Sequence, residues 1–251
     1  MPIQAPVLVE AAVATSASAR SAESAGAGRL ELCSDLVEGG VTPSLGLLEA
    51  VRKRVAIPVH VLIRPRGGDF LYGDEELEVM LRDIALARNA GADGVVIGAL
   101  DRAGDIDRES TARMAEAARP VAVTFHRAFD LTRDADAALD TLIALGVNRL
   151  LTSGQAADAG LGAPLIARLV ERAGGRIVIM AGGGVNESNA ARIVTATGVR
   201  EIHVGASGVR PSPMEFRRTG VFMGKPYQPD EYARTGTDPD RLRAILASLS
   251  A

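Results

Sequence analysis

Six side chains in this sequence could do chemistry together: Glu10, Glu31, Cys33, Arg64, His126 and His203. Each falls within or at the end of a short β-branched run, and the alternation of a strand sorts the way they face. Over residues 29–33, Leu30 and Leu32 share one face, which leaves Glu31 and Cys33 on the other. Over residues 59–64, Val59, Val61 and Ile63 oppose His60, Leu62 and Arg64. Over residues 121–126, Val121, Val123 and Phe125 oppose Ala122, Thr124 and His126. Over residues 201–204, Ile202 and Val204 oppose Glu201 and His203. Glu10 stands near the end of the first run. Two carboxylates, a guanidinium and two imidazoles in one cup perturb one another's pKa values. The matching chemistry is acid–base work on an anion. His126 would shuttle a proton, Glu10 or Glu31 would serve as base, and Arg64 would hold the negative charge. A buried ion network without a ligand would use the same residues. His60, at the start of its run, reads as structural.

Two glycine-rich turns suit an anion as well, residues 181–186 and 205–208. Backbone N–H groups at Gly183 and Gly184 could approach oxygen atoms closely, and Ser207 could add a hydroxyl. Tight turns without a ligand are the plain alternative. The loop from Arg64 to Phe70 adds Arg66, whose planar fork fits a carboxylate or phosphate. The same arginine could instead pin its own loop through Asp69 or Asp35.

These residues need a frame to bring them together. Eight strand-like runs recur, at residues 7–11, 29–33, 59–64, 94–98, 121–126, 149–152, 176–180 and 201–204. Amphipathic, Ala-rich stretches lie between them, at 16–24, 44–54, 74–90, 107–118, 133–145, 162–173 and 187–195. Such alternation implies parallel strands with right-handed crossovers, and eight strands without a break favour closure into a (β/α)8 barrel. In that fold the outer strand face packs on helices and must be apolar, while polar inner residues gather at the mouth, where active sites form. Punctuation agrees. Ser44 and Asp238 sit where helix caps belong, Pro239 follows at the first helical position, and Asp74 leads an acidic first turn. Gly91, Gly146 and Gly198 follow helical runs. Residues 207–237 are Gly- and Pro-rich and poorly periodic. They read as part of an extension, 206–251, that packs on the barrel of one domain, 1–251, and ends in a last helix through Leu249.

Composition bounds the function. The 251 residues suit one barrel, with 47% hydrophobic and 24% charged residues. A single cysteine excludes disulfide scaffolds and zinc ribbons. Lys and Arg number 28 against 31 Asp and Glu, for a net charge of −3, and aromatics are 3% with no Trp, which gives nucleic acid no footprint. No stretch reaches the ~20 apolar residues of a membrane span. The first residues imitate a leader faintly, but no Lys or Arg precedes Arg20 and Glu10 interrupts the apolar run. A cytoplasmic location with one free thiol is the expectation.

Several strings together resemble the CutC family, which is named for copper homeostasis. They are Glu31-Leu32-Cys33, Glu38-Gly39-Gly40-Val41-Thr42-Pro43-Ser44, Ile63-Arg64-Pro65-Arg66-Gly67-Gly68-Asp69-Phe70, Thr124-Phe125-His126-Arg127-Ala128-Phe129-Asp130, Leu151-Thr152-Ser153-Gly154-Gln155 and Ala181-Gly182-Gly183-Gly184-Val185. The likeness runs from the first strand to Glu231-Tyr232. It implies a cytoplasmic TIM barrel, a homo-oligomer, and copper as the bound ion, with the copper ligand falling on Cys33. Members with a second nearby cysteine offer a thiolate pair, and this chain has none. A weak copper site dependent on Cys33 is the expectation, with His126 and His203 as nitrogen donors. Thr152 and Ser153, in the string at the end of the sixth strand, join Arg66, Gly183, Gly184, His203 and Ser207 as candidate ligand-binding residues. Three functions stay open: a copper-binding protein, an enzyme acting on a small anionic or phosphorylated metabolite, and a non-catalytic barrel that binds a metabolite or partner.

Overall fold

The computed structural model describes residues 7–221, 223, 230 and 232–250. The first six residues, which begin the leader-like stretch and the 1–251 unit, and Glu231 and Ala251 lie outside the described residues. Eight parallel strands form a closed barrel: β1 (Leu8–Val13), β2 (Arg29–Leu32), β3 (Val59–Leu62), β4 (Gly94–Ile97), β5 (Ala122–Phe125), β6 (Arg149–Thr152), β7 (Val178–Ala181) and β8 (Glu201–Val204). Between them run α1 (Ser16–Ala25), α2 (Leu45–Arg52), α3 (Asp74–Asn89), α4 (Arg108–Ala118), α5 (Ala135–Ala144), α6 (Ala163–Ala173) and α7 (Ala190–Thr197), and α8 (Pro239–Leu249) closes the described chain. This is the (β/α)8 barrel that the alternation implied.

The local signals act as their chemistry dictates. Ser44 accepts a hydrogen bond from the Leu47 N–H, and Asp238 accepts from the N–H groups of Asp240 and Arg241. Glu76 reaches back to the Gly73 N–H at the start of α3. Gly91, Gly146 and Gly198 adopt the left-handed conformation that turns each helix back toward a strand. Strand parity also holds. Leu30, Leu32, Val59, Val61, Ile63, Val123, Phe125, Ile202 and Val204 join the core between strands and helices, whereas Cys33, Leu62 and Val96 form a separate small apolar cluster.

Two differences from the sequence expectation bear on the site. β1 extends to Val13, because Ala12 and Val13 pair with Glu31 and Leu32. Glu10 is therefore the third of six strand residues, directly across from Arg29 on one side and His203 on the other. It lies inside the barrel rather than at a strand end. The segment after β8 is not merely extended: β9 (Ser207–Pro211) and β10 (Ala233–Thr237) pair antiparallel, with Gly208 opposite Gly236. β10 packs on α1, and α8 packs on α1 and α7. Among the described residues, no helix is long and apolar enough to cross a membrane.

Candidate acid–base and metal site

A chain of charges climbs through the barrel interior. It starts at the N-terminal ends of the strands, where Arg149, first in β6, holds both oxygens of Glu201, first in β8. Arg29, first in β2, donates from Nη2 to the same Glu201 (2.6 Å) and to the Met180 sulfur (3.3 Å). Its Nε donates to Glu10. Two guanidiniums thus serve two carboxylates: Arg29 meets Glu10 on the neighbouring β1, while both arginines reach Glu201 across an intervening strand. Burial alone would raise the Glu10 pKa, but His203, Arg29 and His60 outweigh it and hold the carboxyl well below its ordinary range. His60, beside this network, is buried and neutral. Burial lowers its pKa to about 4, and its ring occupies space that a side chain at Gly94 would fill.

The chain continues upward through His203. Its Nδ1 lies 2.8 Å from Glu10 Oε1, and its Nε2 lies 3.8 Å from Glu31 Oε2. Burial opposes the imidazolium, yet the charges of Glu31 and Glu10 outweigh it and raise the His203 pKa. Glu31 has no hydrogen-bond partner within 3.5 Å among the described residues, and burial, with the charge of Glu10, pushes its carboxyl up to about 7. Ligand atoms of Glu10, Glu31 and His203 all lie within 4.8 Å of one another. One proton near neutral pH and a set of oxygen and nitrogen donors therefore occupy one spot.

Cys33 stands one pleat beyond Glu31 on the same strand face. It is 1% exposed, packed with Leu62 and Val96, and its thiol donates to the Val13 carbonyl. Burial, aided by the negative charge of Glu31, pushes its pKa far above the ordinary thiol value. Gly40 lies against Leu62 and the Cys33 sulfur, where a Cβ would have no room.

Arg64 and His126 belong to a second group. No ion pair joins either to Glu31. Arg64 donates to the carbonyls of Glu38, Gly40 and Gly68, and its guanidinium sits 5.1 Å from the centroid of the Phe70 ring. Phe70 in turn packs on His126, ring centroids 4.9 Å apart. Burial, with the charge of Arg64, lowers the His126 pKa to about 3, so the ring is neutral. One polar cup holding Glu31, Arg64 and His126 was the expectation; the structure divides them between two groups.

The remaining candidates make contacts within the chain. Thr152 and Ser153 wrap Asp130, which lies in the 3-10 turn Arg127–Leu131. The Thr152 hydroxyl, the Ser153 hydroxyl and the N–H groups of Ser153 and Gln155 all donate to its carboxylate. Arg127 completes that cradle. Asp130 and Arg127 escaped the sequence reading, although both stand in the string that contains His126. Gly183 and Gly184 have positive φ and press against Ser153, Arg127 and Asp158, so the turn after β5 and the loop after β6 fill the space a side chain would need. Ser207 opens the hairpin, and its carbonyl accepts from Arg241. Arg66 pairs with Glu76 and Asp69, the second of which is the loop-pinning alternative foreseen for it.

Residues 7–208 match the model of the CutC family. A copper homeostasis protein cutC homolog of Mus musculus is 50% identical over 240 residues, 96% of this chain and 88% of that protein. The Homo sapiens homolog matches with the same identity and coverage. A crystal structure of a CutC protein from Streptococcus agalactiae superposes with a TM-score of 0.74 at 36% identity, covering 78% of this chain and 97% of that one.

Proposed function

The chain belongs to the CutC family, and from that premise we propose that it serves copper homeostasis in the cytoplasm by holding a copper ion on His203 and Glu31. The observation that carries this reading is the convergence of Glu10, Glu31 and His203, with ligand atoms within 4.8 Å of one another. The donor types fit a divalent ion. Imidazole suits copper, carboxylate suits harder cations, and Cu²⁺ heads the divalent series in affinity at a given site. Glu10 has the place of an orienting partner: it accepts from Nδ1 of His203 and leaves Nε2 to face Glu31. The soft thiolate that Cu(I) prefers fits less well. The Cys33 thiol keeps its proton, bonds Val13 and is walled by Leu62 and Val96. Two protein ligands make a loose site, suited to an ion that is cargo. Competition against a series of copper chelators tests this. Wild type and Cys33→Ser are expected to hold copper alike, while Glu31→Gln and His203→Gln lose at least tenfold in affinity. Loss in Cys33→Ser alone would refute the assignment.

A second reading rests on the proton that Glu31 retains up to about 7 beside His203. That pair suits general acid–base catalysis on a small anionic metabolite. Its test is turnover of a metabolite mixture by wild type and not by Glu31→Gln, in metal-free buffer.

A further inference from the structure

Arg64 is a buried cation without an anion. It is 7% exposed and forms no ion pair within 4.0 Å among the described residues. Its two Nη groups donate to three backbone carbonyls, which orient the guanidinium but cancel no charge. Its Nε has no partner at all. Buried charges are ordinarily paired, because an unpaired one is expensive to desolvate.

Two more buried side-chain polar atoms without hydrogen-bond partners belong to groups that feel the charge of Arg64. His126 Nδ1 accepts from the Ala128 N–H at 3.0 Å, so the proton of the neutral ring sits on Nε2, and that N–H is unpartnered. The Tyr72 hydroxyl is the third. Burial raises the Tyr72 pKa, while the charges of Arg64 and Arg66 and an interaction of the hydroxyl with the Arg64 guanidinium oppose it; the Arg64 charge also acts on His126, so both groups are neighbours of the guanidinium. Phe70 touches both Arg64 and His126. All three free groups can donate, one carries positive charge, and none is a carboxylate. The internal rival would be Glu38, but its side chain lies against Gly67 and makes no ion pair with Arg64.

We propose that Arg64 Nε, His126 Nε2 and the Tyr72 hydroxyl form a binding site for a small oxyanion, carboxylate or phosphate, with Phe70 as its cover. The site is separate from the Glu10–Glu31–His203 cluster, and its existence does not depend on copper. Arg64 supplies the counter-charge, and the two neutral donors orient the oxygens.

The chain has three histidines, so the ring nitrogens of His126 can be followed by NMR after ¹⁵N-histidine labelling. The metal-free protein is titrated with inorganic phosphate and separately with acetate, with chloride at matched ionic strength as reference. A saturable shift of His126 Nε2 with at least one oxyanion, while His60 stays still, is expected. Phosphate alone or acetate alone identifies the source of the oxyanion. Arg64→Gln should abolish the shift, and Tyr72→Phe, the safer variant for folding, should weaken binding about tenfold, the size of one hydrogen bond to a charged group. No response to either oxyanion, an equal response to chloride, or unchanged binding in Tyr72→Phe would overturn the site.

Discussion

His203 is held between two carboxylates, Nδ1 2.8 Å from Glu10 and Nε2 3.8 Å from Glu31. With Arg29 and Arg149 bound to Glu10 and Glu201 below it, the imidazolium makes the third cation against three acids. Glu10 is tied on both oxygens, so Glu31 is the member whose partners can change, and the barrel interior becomes responsive there.

The three histidines should titrate differently. His203 is expected to stay protonated above the ordinary value, whereas His60 and His126 remain neutral down to about 4 and about 3. The signs follow from linkage. The contribution of His203 is full below its unfolded pKa and is lost as pH rises through its folded one. Those of His60 and His126 are full above the unfolded value near 6.5 and are lost as pH falls. Histidine ¹⁵N spectra across pH check this, and an ordinary titration of His126 would contradict its burial as a neutral ring.

Glu31→Gln is expected to stabilise the protein at alkaline pH. The folded carboxyl binds its proton up to about 7, above the unfolded value near 4.5. Wild type therefore carries a cost that is absent below the unfolded pKa, grows between the two and is complete above the folded one. At pH 8 the variant should exceed wild type by about 1–3 kcal/mol, and at pH 4 the two should converge. Urea melts at the two pH values decide it; a less stable variant at pH 8 means that the Glu31–His203 attraction outweighs desolvation.

Arg29→Met should do the reverse. It strips Glu10 of one partner and Glu201 of another, and breaking a buried pair from one side costs about 3–5 kcal/mol. A loss under about 1 kcal/mol in denaturant melts would place this network in effective contact with water.

Much of this was legible in the residues. Leu30, Leu32, Val59, Val61 and Ile63 fix which strand faces meet helices, and parity then turns Glu31, Cys33 and Arg64 away from that side. The same parity places Arg29 with Glu31, but a charged first residue of a strand looks like an ordinary exposed end. Which inner residues meet depends on the stagger of the barrel, which pairs Glu10 with His203 across the closure and leaves Arg64 and His126 around Phe70. No local pattern encodes that stagger. The hairpin was hidden because β9 and β10 are built mostly from Gly, Arg, Ser and Thr, without apolar alternation, and lie far apart in the chain. Asp130 was hidden because a loop acid satisfied by Thr152 and Ser153 reads like any exposed one.

Two glycines offer a contrast. A methyl at Gly98 would lie 2.2 Å from the His126 ring, so Gly98→Ala must displace that ring, at a cost of about 1–3 kcal/mol. Gly46, near the start of α2, has nothing within 4 Å of its would-be Cβ, and Gly46→Ala should gain up to about 1 kcal/mol from helix propensity. Thermal melts of the pair check both signs; equal effects would show that His126 is not held where Gly98 leaves room.

The copper assignment is tested most directly by X-ray absorption at the copper edge of the protein loaded with one equivalent of Cu²⁺. Coordination by His203 and Glu31 predicts a first shell of nitrogen and oxygen only, with the multiple-scattering signature of imidazole, unchanged in Cys33→Ser. A sulfur scatterer in the first shell, lost in Cys33→Ser, would contradict the account and return the ion to the thiol.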